Sequence, residues 1–219
     1  MLKKTQIFII LVIVMIVAAG VLMLLREIKE KNKQEFLSQL KGQVVFTRRD
    51  ADGVSDIWKI NANGTSEEML FRNDLNGFKT DCRKPQWSED SKKVFFISFD
   101  QDKKKDVYEI NTDGSNFKLK ENKEEYRKEE YRLDDTTSLS REKDIIVENG
   151  DVFYLLGQEK IKIYDYKFKC DSKLCPGASE ASWSPDKKYI IFNGDAGIFI
   201  ADLKGNVFKL TDGADPDWK

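Results

Sequence analysis

Two kinds of hydrophobic pattern divide the chain. Residues Ile7 to Leu25 form an uninterrupted run of 19 residues without a charge, with lysines before it and an arginine after it. As a helix rising 1.5 Å per residue, this run would cover about 28 Å, close to the hydrocarbon thickness of a bilayer. From Gly42 onward, short stretches of β-branched and aromatic residues alternate with turn residues, as in β-strands. The sequence therefore predicts an N-terminal helix followed by an all-β domain.

We interpret residues 1–26 as a transmembrane signal-anchor. A cleaved signal peptide is the alternative, because Val17-Ala18-Ala19 resembles a cleavage site, but the apolar run continues six residues beyond it. A short lysine-bearing tail before a long apolar run is typical of a signal-anchor with a cytoplasmic N-terminus, although the Lys/Arg counts on the two flanks lean the other way. We therefore expect a single-pass protein of the plasma membrane, with its β domain outside the cytoplasm.

Residues 27–41 are rich in charges of both signs, and favourably spaced pairs such as Glu27 with Lys31 support a helix. This segment is predicted to be a charged helical stalk that ends at Gly42. A lipid-binding role is less favoured, because its charges are mixed.

The β region repeats one pattern at a nearly constant interval. Segments with an aliphatic-aromatic core and a following glycine begin at Ile57, Val107, Val152 and Ile198, at intervals of 50, 45 and 46 residues. The Asn-Gly and Asp-Gly pairs at 63–64 and 113–114 predict tight hairpin turns. Repeats of this length, with several short strands each, are typical of a β-propeller blade.

The start of each repeat carries the most specific motif. One copy contains Pro85, Trp87, Ser88 and Asp90, and another contains Trp183, Ser184, Pro185 and Asp186. These residues resemble the repeat of the TolB-like, or WD40-like "PD40", β-propellers. Where that family has a turn glycine, this chain has Ser91 or Lys187, and a third copy is reduced to Ser138-Leu139-Ser140. The resemblance implies the fold but no activity, since the family's propellers serve in envelope complexes, beside peptidase domains and as stand-alone modules.

The repeats predict about four blades within the domain 42–219. Their approximate limits are 42–75, 84–120, 136–168 and 181–212. The last residues contain Pro216 and Trp218 and begin a further repeat, so we expect 214–219 to complete the first blade and close the ring. The alternatives are an open ring and a fragment of a larger propeller.

The tryptophans are interpreted as structural residues. Trp87, Trp183 and Trp218 recur at one position of the repeat, as packing between sheets requires. Trp58 shares its position in the next strands with Tyr108 and Phe199, and we expect it to pack in the core as well.

Composition excludes several kinds of chemistry. The chain has no histidine, which excludes a Ser-His-Asp hydrolase and a histidine-containing zinc site. It also lacks a Gly-x-Ser-x-Gly nucleophile motif. The net charge of −1, with both signs interleaved, predicts no nucleic-acid partner. We therefore predict a non-enzyme without a cofactor, although chemistry by carboxylates alone, as in glycosidases, stays open.

Two acidic hairpin tips have the oxygen ligands that calcium prefers. Their aspartates share one spacing: Asp50, Asp52 and Asp56, and then Asp100, Asp102 and Asp106. Neither tip has the glycine and distal glutamate of an EF-hand loop, and aspartate is common in turns, so we predict no metal site here.

The three cysteines are too few for most zinc sites. Outside the cytoplasm, Cys170 and Cys175 are candidates for a local disulfide that leaves Cys82 unpaired. Three reduced thiols are the alternative in a cytoplasmic domain.

Two further segments are surface candidates. Residues 121–135, between the second and third repeats, interleave tyrosines with charges of both signs, as in a solvated loop or a partner-docking insertion. Asn63-Gly64-Thr65 fits a glycosylation acceptor, a match that arises easily by chance.

These features favour a membrane-tethered, extracytoplasmic propeller that acts as a protein-interaction or scaffold module. The alternative is a sensor or binding protein for a small ligand or glycan in the propeller channel. The sequence identifies neither the partner nor a binding residue.

Overall fold

The computed structural model describes residues 4–51, 53–73, 82–99, 105–120, 144–165, 177–194 and 197–219. The chain divides into two compact units, Met1–Leu40 and Lys41–Lys219. The first unit is helical and the second consists of antiparallel β-sheets.

The first unit contains a single described helix, α1 (Lys4–Ser38), of 35 residues. One stretch of α1 is long and apolar enough to cross a membrane, judged by length and composition. The expected anchor and stalk are thus parts of one continuous helix.

The helix ends earlier than predicted, at Ser38 rather than near Gly42. Its last turn tightens, because Leu40 N donates to Leu37 O and Gln39 N donates to Phe36 O, both three residues back. The Ser38 hydroxyl also donates to Glu35 O at 2.8 Å, which satisfies a terminal carbonyl.

The described residues of the second unit form four antiparallel sheets, which we name A to D. Sheet A has the spatial order β15-β1-β2-β3, and sheet B has the order β4-β5-β6-β7. The strands of sheet A are β1 (Gln43–Arg49), β2 (Ser55–Asn61), β3 (Glu68–Phe71) and β15 (Ala214–Trp218). Those of sheet B are β4 (Arg83–Trp87), β5 (Lys93–Phe99), β6 (Lys105–Asn111) and β7 (Lys118–Leu119).

Within the described ranges, sheet C has three strands in the order β10-β9-β8, and sheet D has four in the order β11-β12-β13-β14. The strands of sheet C are β8 (Ile145–Glu148), β9 (Asp151–Leu156) and β10 (Glu159–Tyr164). Those of sheet D are β11 (Ser179–Trp183), β12 (Tyr189–Gly194), β13 (Gly197–Asp202) and β14 (Val207–Thr211). The described chain is therefore mostly β, with one apolar helix before it.

Sheet A joins the two ends of the β unit. Strand β15 pairs antiparallel with β1, with Val44 opposite Trp218. Beyond this pair, Gln43 N donates to Lys219 O at 2.6 Å and Lys219 N donates to Gln43 O at 2.9 Å. This is the pairing on which the predicted closure of the first blade depends.

Strands β4, β11 and β15, each at one edge of its sheet, contain a β-bulge. Lys84 in β4, Glu180 in β11 and Asp215 in β15 all have positive φ, between 49° and 54°. The pairing register shifts beside each of them, as expected at a β-bulge. Each bulge residue lies three positions before the tryptophan of its strand, so β15 has the local structure of β4 and β11.

Each of these tryptophans packs against another sheet. Trp87 of sheet B lies in a core cluster with Val45 and Ile57 of sheet A. Trp183 of sheet D lies in a cluster with residues of sheet C and donates Nε1–H to Asp144 at 3.0 Å. Trp218 of sheet A stacks on Tyr189 of sheet D, with ring centroids 6.3 Å apart. Strand β15 therefore links the last sheet of the chain to the first.

The fourth tryptophan, Trp58, is not packed in the core as predicted. Trp58 is only half-buried, and the guanidinium of Arg48 lies 4.7 Å from its ring centroid. The ring faces a charged side chain there, a contact that a strand pattern does not reveal.

The hairpin turns at 63–64 and 113–114 are not the tight two-residue turns that were predicted. A two-residue Asn-Gly turn needs positive φ at both residues, but of each pair only Gly64 and Gly114 have it. Each turn instead spans five residues: Gly64 N donates to Asn61 O, and Asn61 N donates to Thr65 O. Asn149 and Gly150, between β8 and β9, both have positive φ and form the tight type of turn.

A second recurring turn follows the tryptophan. Ser88 Oγ donates to Asp90 Oδ1 at 2.7 Å and accepts from Lys93 N at 2.9 Å. The carboxylate of Asp90 therefore has a lowered pKa, because the Ser88 hydroxyl and the Lys92 N–H both bond to it. Ser184 and Asp186 repeat this arrangement at 2.8 Å, which explains why Ser-x-Asp recurs in the sequence.

Candidate binding cavity

The three bulge residues, one each from sheets A, B and D, lie close together where strands β15, β4 and β11 approach one another. Lys84 Nζ lies 3.6 Å from Glu180 Oε1, which joins sheets B and D. The backbone N–H of Lys84 donates to Asp215 Oδ2 at 3.1 Å, which joins sheets B and A. Lys84 thus connects two carboxylates that belong to different sheets.

A cavity of about 480 Å³ opens beside this meeting point. It lies at the end of β1 and at the beginnings of β2, β4 and β15. Its lining residues are Thr47, Arg48, Arg49, Ser55, Cys82, Arg83, Asp212, Gly213, Ala214 and Asp215. We refer to it as the arginine cavity, because three of its side chains are guanidinium groups.

Arg48 holds the wall of the arginine cavity together. Its two terminal nitrogens donate to the Glu67 carboxylate at 2.5 and 3.1 Å, a paired arrangement that fits the planar guanidinium. It also donates to Thr211 Oγ1 at 2.6 Å and to Asp212 O at 3.1 Å. Arg48 therefore ties β1 to the turn between β14 and β15.

These contacts keep two carboxylates ionised. The Arg48 hydrogen bonds hold the pKa of Glu67 below its ordinary value, and the Thr211 hydroxyl adds to this effect against the opposing effect of burial. A hydrogen bond from Lys209, whose Nζ lies 2.5 Å from Asp212 Oδ1, lowers the pKa of Asp212. Neither group is suited to donate a proton at neutral pH.

Atoms are closely packed around Gly213 and Thr47, at the floor of the cavity. Gly213 has a φ of 144°, and a Cβ placed on it would lie 2.6 Å from Phe46 Cδ2 and 2.7 Å from Thr47 O. The buried Thr47 hydroxyl bonds with Ala214 O at 3.1 Å and lies 3.4 Å from Asp215 Oδ2. Glycine at 213 is therefore needed to bring the last strand against β1.

The rim of the arginine cavity is exposed and cationic. Arg49, the last residue of β1, and Arg83, the first residue of β4, both line the cavity and are exposed to solvent. They belong to different sheets, A and B. Exposed guanidinium groups from two sheets therefore line the cavity.

A second, shallower hollow lies between sheets A and B, with a volume of about 400 Å³. Most of its lining residues have apolar side chains, and the full lining is Met69, Leu70, Phe71, Arg72, Ile110, Gly114 and Phe117. The rings of Phe71 and Phe117 form its base, with centroids 4.6 Å apart.

The residues singled out from the sequence have different locations. The motif residues lie in the first strands and in the turns that follow them: Pro85, Trp87, Ser88, Asp90, Trp183, Ser184, Pro185, Asp186, Pro216 and Trp218. Cys170, Cys175, the segment 121–135 and Ser138-Leu139-Ser140 lie outside the described residues. Asn63 is in the first five-residue turn, where its Oδ1 accepts from Thr65 Oγ1 at 2.6 Å.

The acidic tips are described only in part, since Asp52, Asp100 and Asp102 lie outside the described residues. Asp50 Oδ1 accepts from Val54 N at 2.9 Å, and Asp56 Oδ1 accepts from Asn73 N at 2.8 Å. Within the described ranges, no group of three or more acidic or cysteine residues has a geometry that could hold a metal ion.

Sequence reasoning missed the arginine cavity. Arg49 and Arg83 occupy unrelated positions of their repeats, so no motif groups them. Arg48-Arg49, at the end of a strand whose other residues are apolar or hydroxylated, was the signal that the sequence offered.

No protein-family model and no curated protein matches this chain. Among solved structures, it is similar to TolB from Acinetobacter baumannii, with 18% identity and a TM-score of 0.31 over 78% of this chain and 41% of that one. It is also similar to putative TolB from Agrobacterium tumefaciens, with 16% identity and a TM-score of 0.30 over 78% of this chain and 61% of that one. Acylaminoacyl peptidase from Pyrococcus horikoshii matches at 12% identity and a TM-score of 0.29, over 79% of this chain and 45% of that one. The chain thus spans less than two thirds of each, and TM-scores this low carry no argument about fold or function.

Proposed function

We propose that this protein is a single-pass membrane protein whose β unit is a four-bladed, TolB-like propeller outside the cytoplasm. The propeller acts as a protein-interaction module, and the arginine cavity is its binding site.

The exposure of the apolar part of α1 carries the proposal of membrane attachment. Its span is fully uncovered within the structure, and side chains such as Phe8, Leu22 and Met23 are about two-thirds exposed. An apolar surface of this size is unfavourable in water, and a bilayer would cover it. The helix continues from Arg26 to Ser38, about 20 Å beyond the apolar stretch.

The packing of the tryptophans supports a closed ring of four blades. Trp87 joins sheet B to sheet A, Trp183 joins sheet D to sheet C, and Trp218 joins sheet A to sheet D. Each tryptophan thus contacts the sheet before its own in a cyclic order A-B-C-D. The resemblance of the motif to TolB-like repeats supports the same arrangement.

The polar groups of the arginine cavity favour binding over chemistry. Its carboxylates are engaged, since Asp212 pairs with Lys209 and Asp215 accepts from Lys84 N and Thr47. A glycosidase needs a carboxyl group that stays protonated until it donates, whereas Asp212 has a lowered pKa. The alternative, a small ligand or glycan, is favoured by the cavity volume, which lies in the range of small-molecule sites.

Membrane extraction and a reporter fusion test the tether and its orientation. We expect the protein to stay in the membrane pellet in alkaline carbonate, while a variant lacking residues 4–25 becomes soluble. A phosphatase that is active only outside the cytoplasm should be active when fused after Lys219. Release of the intact protein by carbonate, or an inactive fusion of a stably expressed protein, contradicts the proposal.

A further inference from the structure

We propose that Asn63 is an N-glycosylation site, at which the side-chain nitrogen Nδ2 is joined to a sugar outside the cytoplasm. This inference rests on the proposed function, because the sugar is transferred on the side of the membrane where the β unit is proposed to lie. Asn63-Gly64-Thr65 is the one Asn-x-Ser/Thr tripeptide of this sequence. It lies in an exposed turn whose hydrogen bonds leave one polar group of Asn63 unused.

The turn between β2 and β3 holds the Asn63 side chain by its oxygen. Thr65 N donates to Asn63 Oδ1 at 3.1 Å, and the Thr65 hydroxyl donates to the same oxygen at 2.6 Å. Asn61 Nδ2 donates to Thr65 Oγ1 at 3.0 Å, which fixes the position of the hydroxyl. Within the part of the chain that the structure describes, Nδ2 of Asn63 makes no hydrogen bond.

The equivalent turn of sheet B shows that the fold does not need this nitrogen. Asp113 takes the place of Asn63 there, and its Oδ1 accepts from Ser115 N at 2.9 Å and from Ser115 Oγ at 2.6 Å. The corresponding turn of sheet D has Lys204 at this position. A carboxylate oxygen thus makes the same two bonds as the amide oxygen, and the amide nitrogen of Asn63 is left for a role outside folding.

The same hydrogen bonds suit the chemistry of glycosyl transfer. Two donors to Oδ1 draw electron density from the amide and make the Nδ2 hydrogens more acidic. In the transfer, Nδ2 attacks the anomeric carbon of a sugar that a membrane lipid carries through a phosphate group. The new N–C bond replaces the C–O bond to the phosphate, which leaves with the electron pair. One Nδ2 proton passes to a base of the transferring enzyme.

The turn is open to solvent and lies away from the arginine cavity. Residues 64–66 are exposed. Asn61 pairs with Gln43 at the start of β1, whereas the cavity lies at the Arg49 end of that strand. A rise of about 3.3 Å per residue separates these ends by about 20 Å. A sugar on Asn63 is therefore attached at the opposite end of sheet A from the cavity.

Mass spectrometry of the full-length protein, purified from the membranes of the cells that produce it, tests the inference. We expect the protease fragment that contains Asn63 to carry added sugar mass and to release sugar fragment ions. Asn63→Asp, which reproduces the bonding of the turn in sheet B, should lose the sugar and still fold, as judged by thermal melting. Thr65→Ser keeps the hydroxyl and should keep the sugar, whereas Thr65→Val should lose it.

Asp113→Asn is the matched gain-of-function variant, because it creates the same tripeptide pattern in a turn with the same hydrogen bonds. It should acquire a second sugar on that turn. An unmodified Asn63 in the wild-type protein, a sugar on this fragment that persists in Asn63→Asp, or the lack of a second sugar in Asp113→Asn overturns the inference. The phosphatase fusion reports the side of the membrane independently, so an active fusion with an unmodified Asn63 refutes the glycosylation and leaves the proposed function intact.

Discussion

Asp217 Oδ2 accepts a hydrogen bond from the backbone N–H of Trp87 at 2.8 Å. The two residues are 130 positions apart, on β15 of sheet A and β4 of sheet B. The last strand is therefore bound on one side to β1 by strand pairing and on another to sheet B by a side chain.

We expect Asp217→Ala to lower the stability of the β unit by about 1–3 kcal/mol, because the Trp87 N–H loses its acceptor in a buried environment. Asp217→Asn should lose much less, since an amide oxygen can still accept. Thermal and urea unfolding of the full chain in detergent, followed by circular dichroism, measures the difference. Equal stability of the alanine variant and the wild type would show that this bond does not hold the last strand.

The turn after the tryptophan offers a stabilising change. Ser91 and Lys187 have φ values of 59° and 55°, a region that costs non-glycine residues free energy. Ser91→Gly and Lys187→Gly should each raise stability by about 0.5–1 kcal/mol, after the extra entropy of glycine in the unfolded chain is subtracted. Lys92→Gly, in the same turn but without positive φ, should be destabilising. A loss of stability in both glycine variants would refute the strain argument.

The ion pair of Arg48 and Glu67 predicts a pH dependence. The pKa of Glu67 is lowered from 4.5 in the folded state, so its contribution to stability is present above about pH 4.5 and is lost as the pH falls through the folded-state pKa. Glu67→Gln should lower the melting temperature at pH 7 and flatten its fall between pH 5 and pH 3. If wild type and variant lose stability in parallel over this range, Glu67 does not contribute to the acid sensitivity.

Crowding at Gly213 predicts a large effect of one methyl group. In Gly213→Ala the new Cβ would overlap Phe46 and Thr47 O, and β15 would have to move away from β1, at a cost of about 1–3 kcal/mol. Gly157→Ala is the control, because Gly157 also has positive φ but has no atom within 4 Å of its Cβ position. The excess loss in Gly213→Ala measures the crowding together with the greater backbone strain at its φ of 144°, compared with 66° at Gly157. Similar losses in both variants would mean that backbone strain alone accounts for the effect.

The sequence predicts the elements of this structure better than its contacts. The repeat spacing located strands such as β2, β6 and β13, because each contains the same aliphatic-aromatic core. The pairing of β15 with β1 could be anticipated from Trp218, which repeats the position of Trp87 and Trp183. These features depend on local patterns that recur along the chain.

The bulges and the arginine cavity could not be predicted in this way. Lys84, Glu180 and Asp215 share a backbone conformation but have unrelated side chains, so no motif marks them. Arg49 and Arg83 become neighbours of one cavity only because sheets A and B pack together. Trp58 has the pattern of a core residue, and only the folded chain places Arg48 over its ring.

Photo-cross-linking in living cells tests the central claim most directly. Benzoylphenylalanine replaces either Arg83, on the cavity rim, or Lys204, on the turn between β13 and β14 at the end of sheet D that is away from the cavity. Each variant is then irradiated as the membrane-anchored protein. We predict one cross-linked protein partner from position 83, none from position 204, and loss of the partner when the helix residues 4–25 are deleted. The same products from both positions, or no protein product from position 83, would contradict the role of this protein as a tethered interaction module.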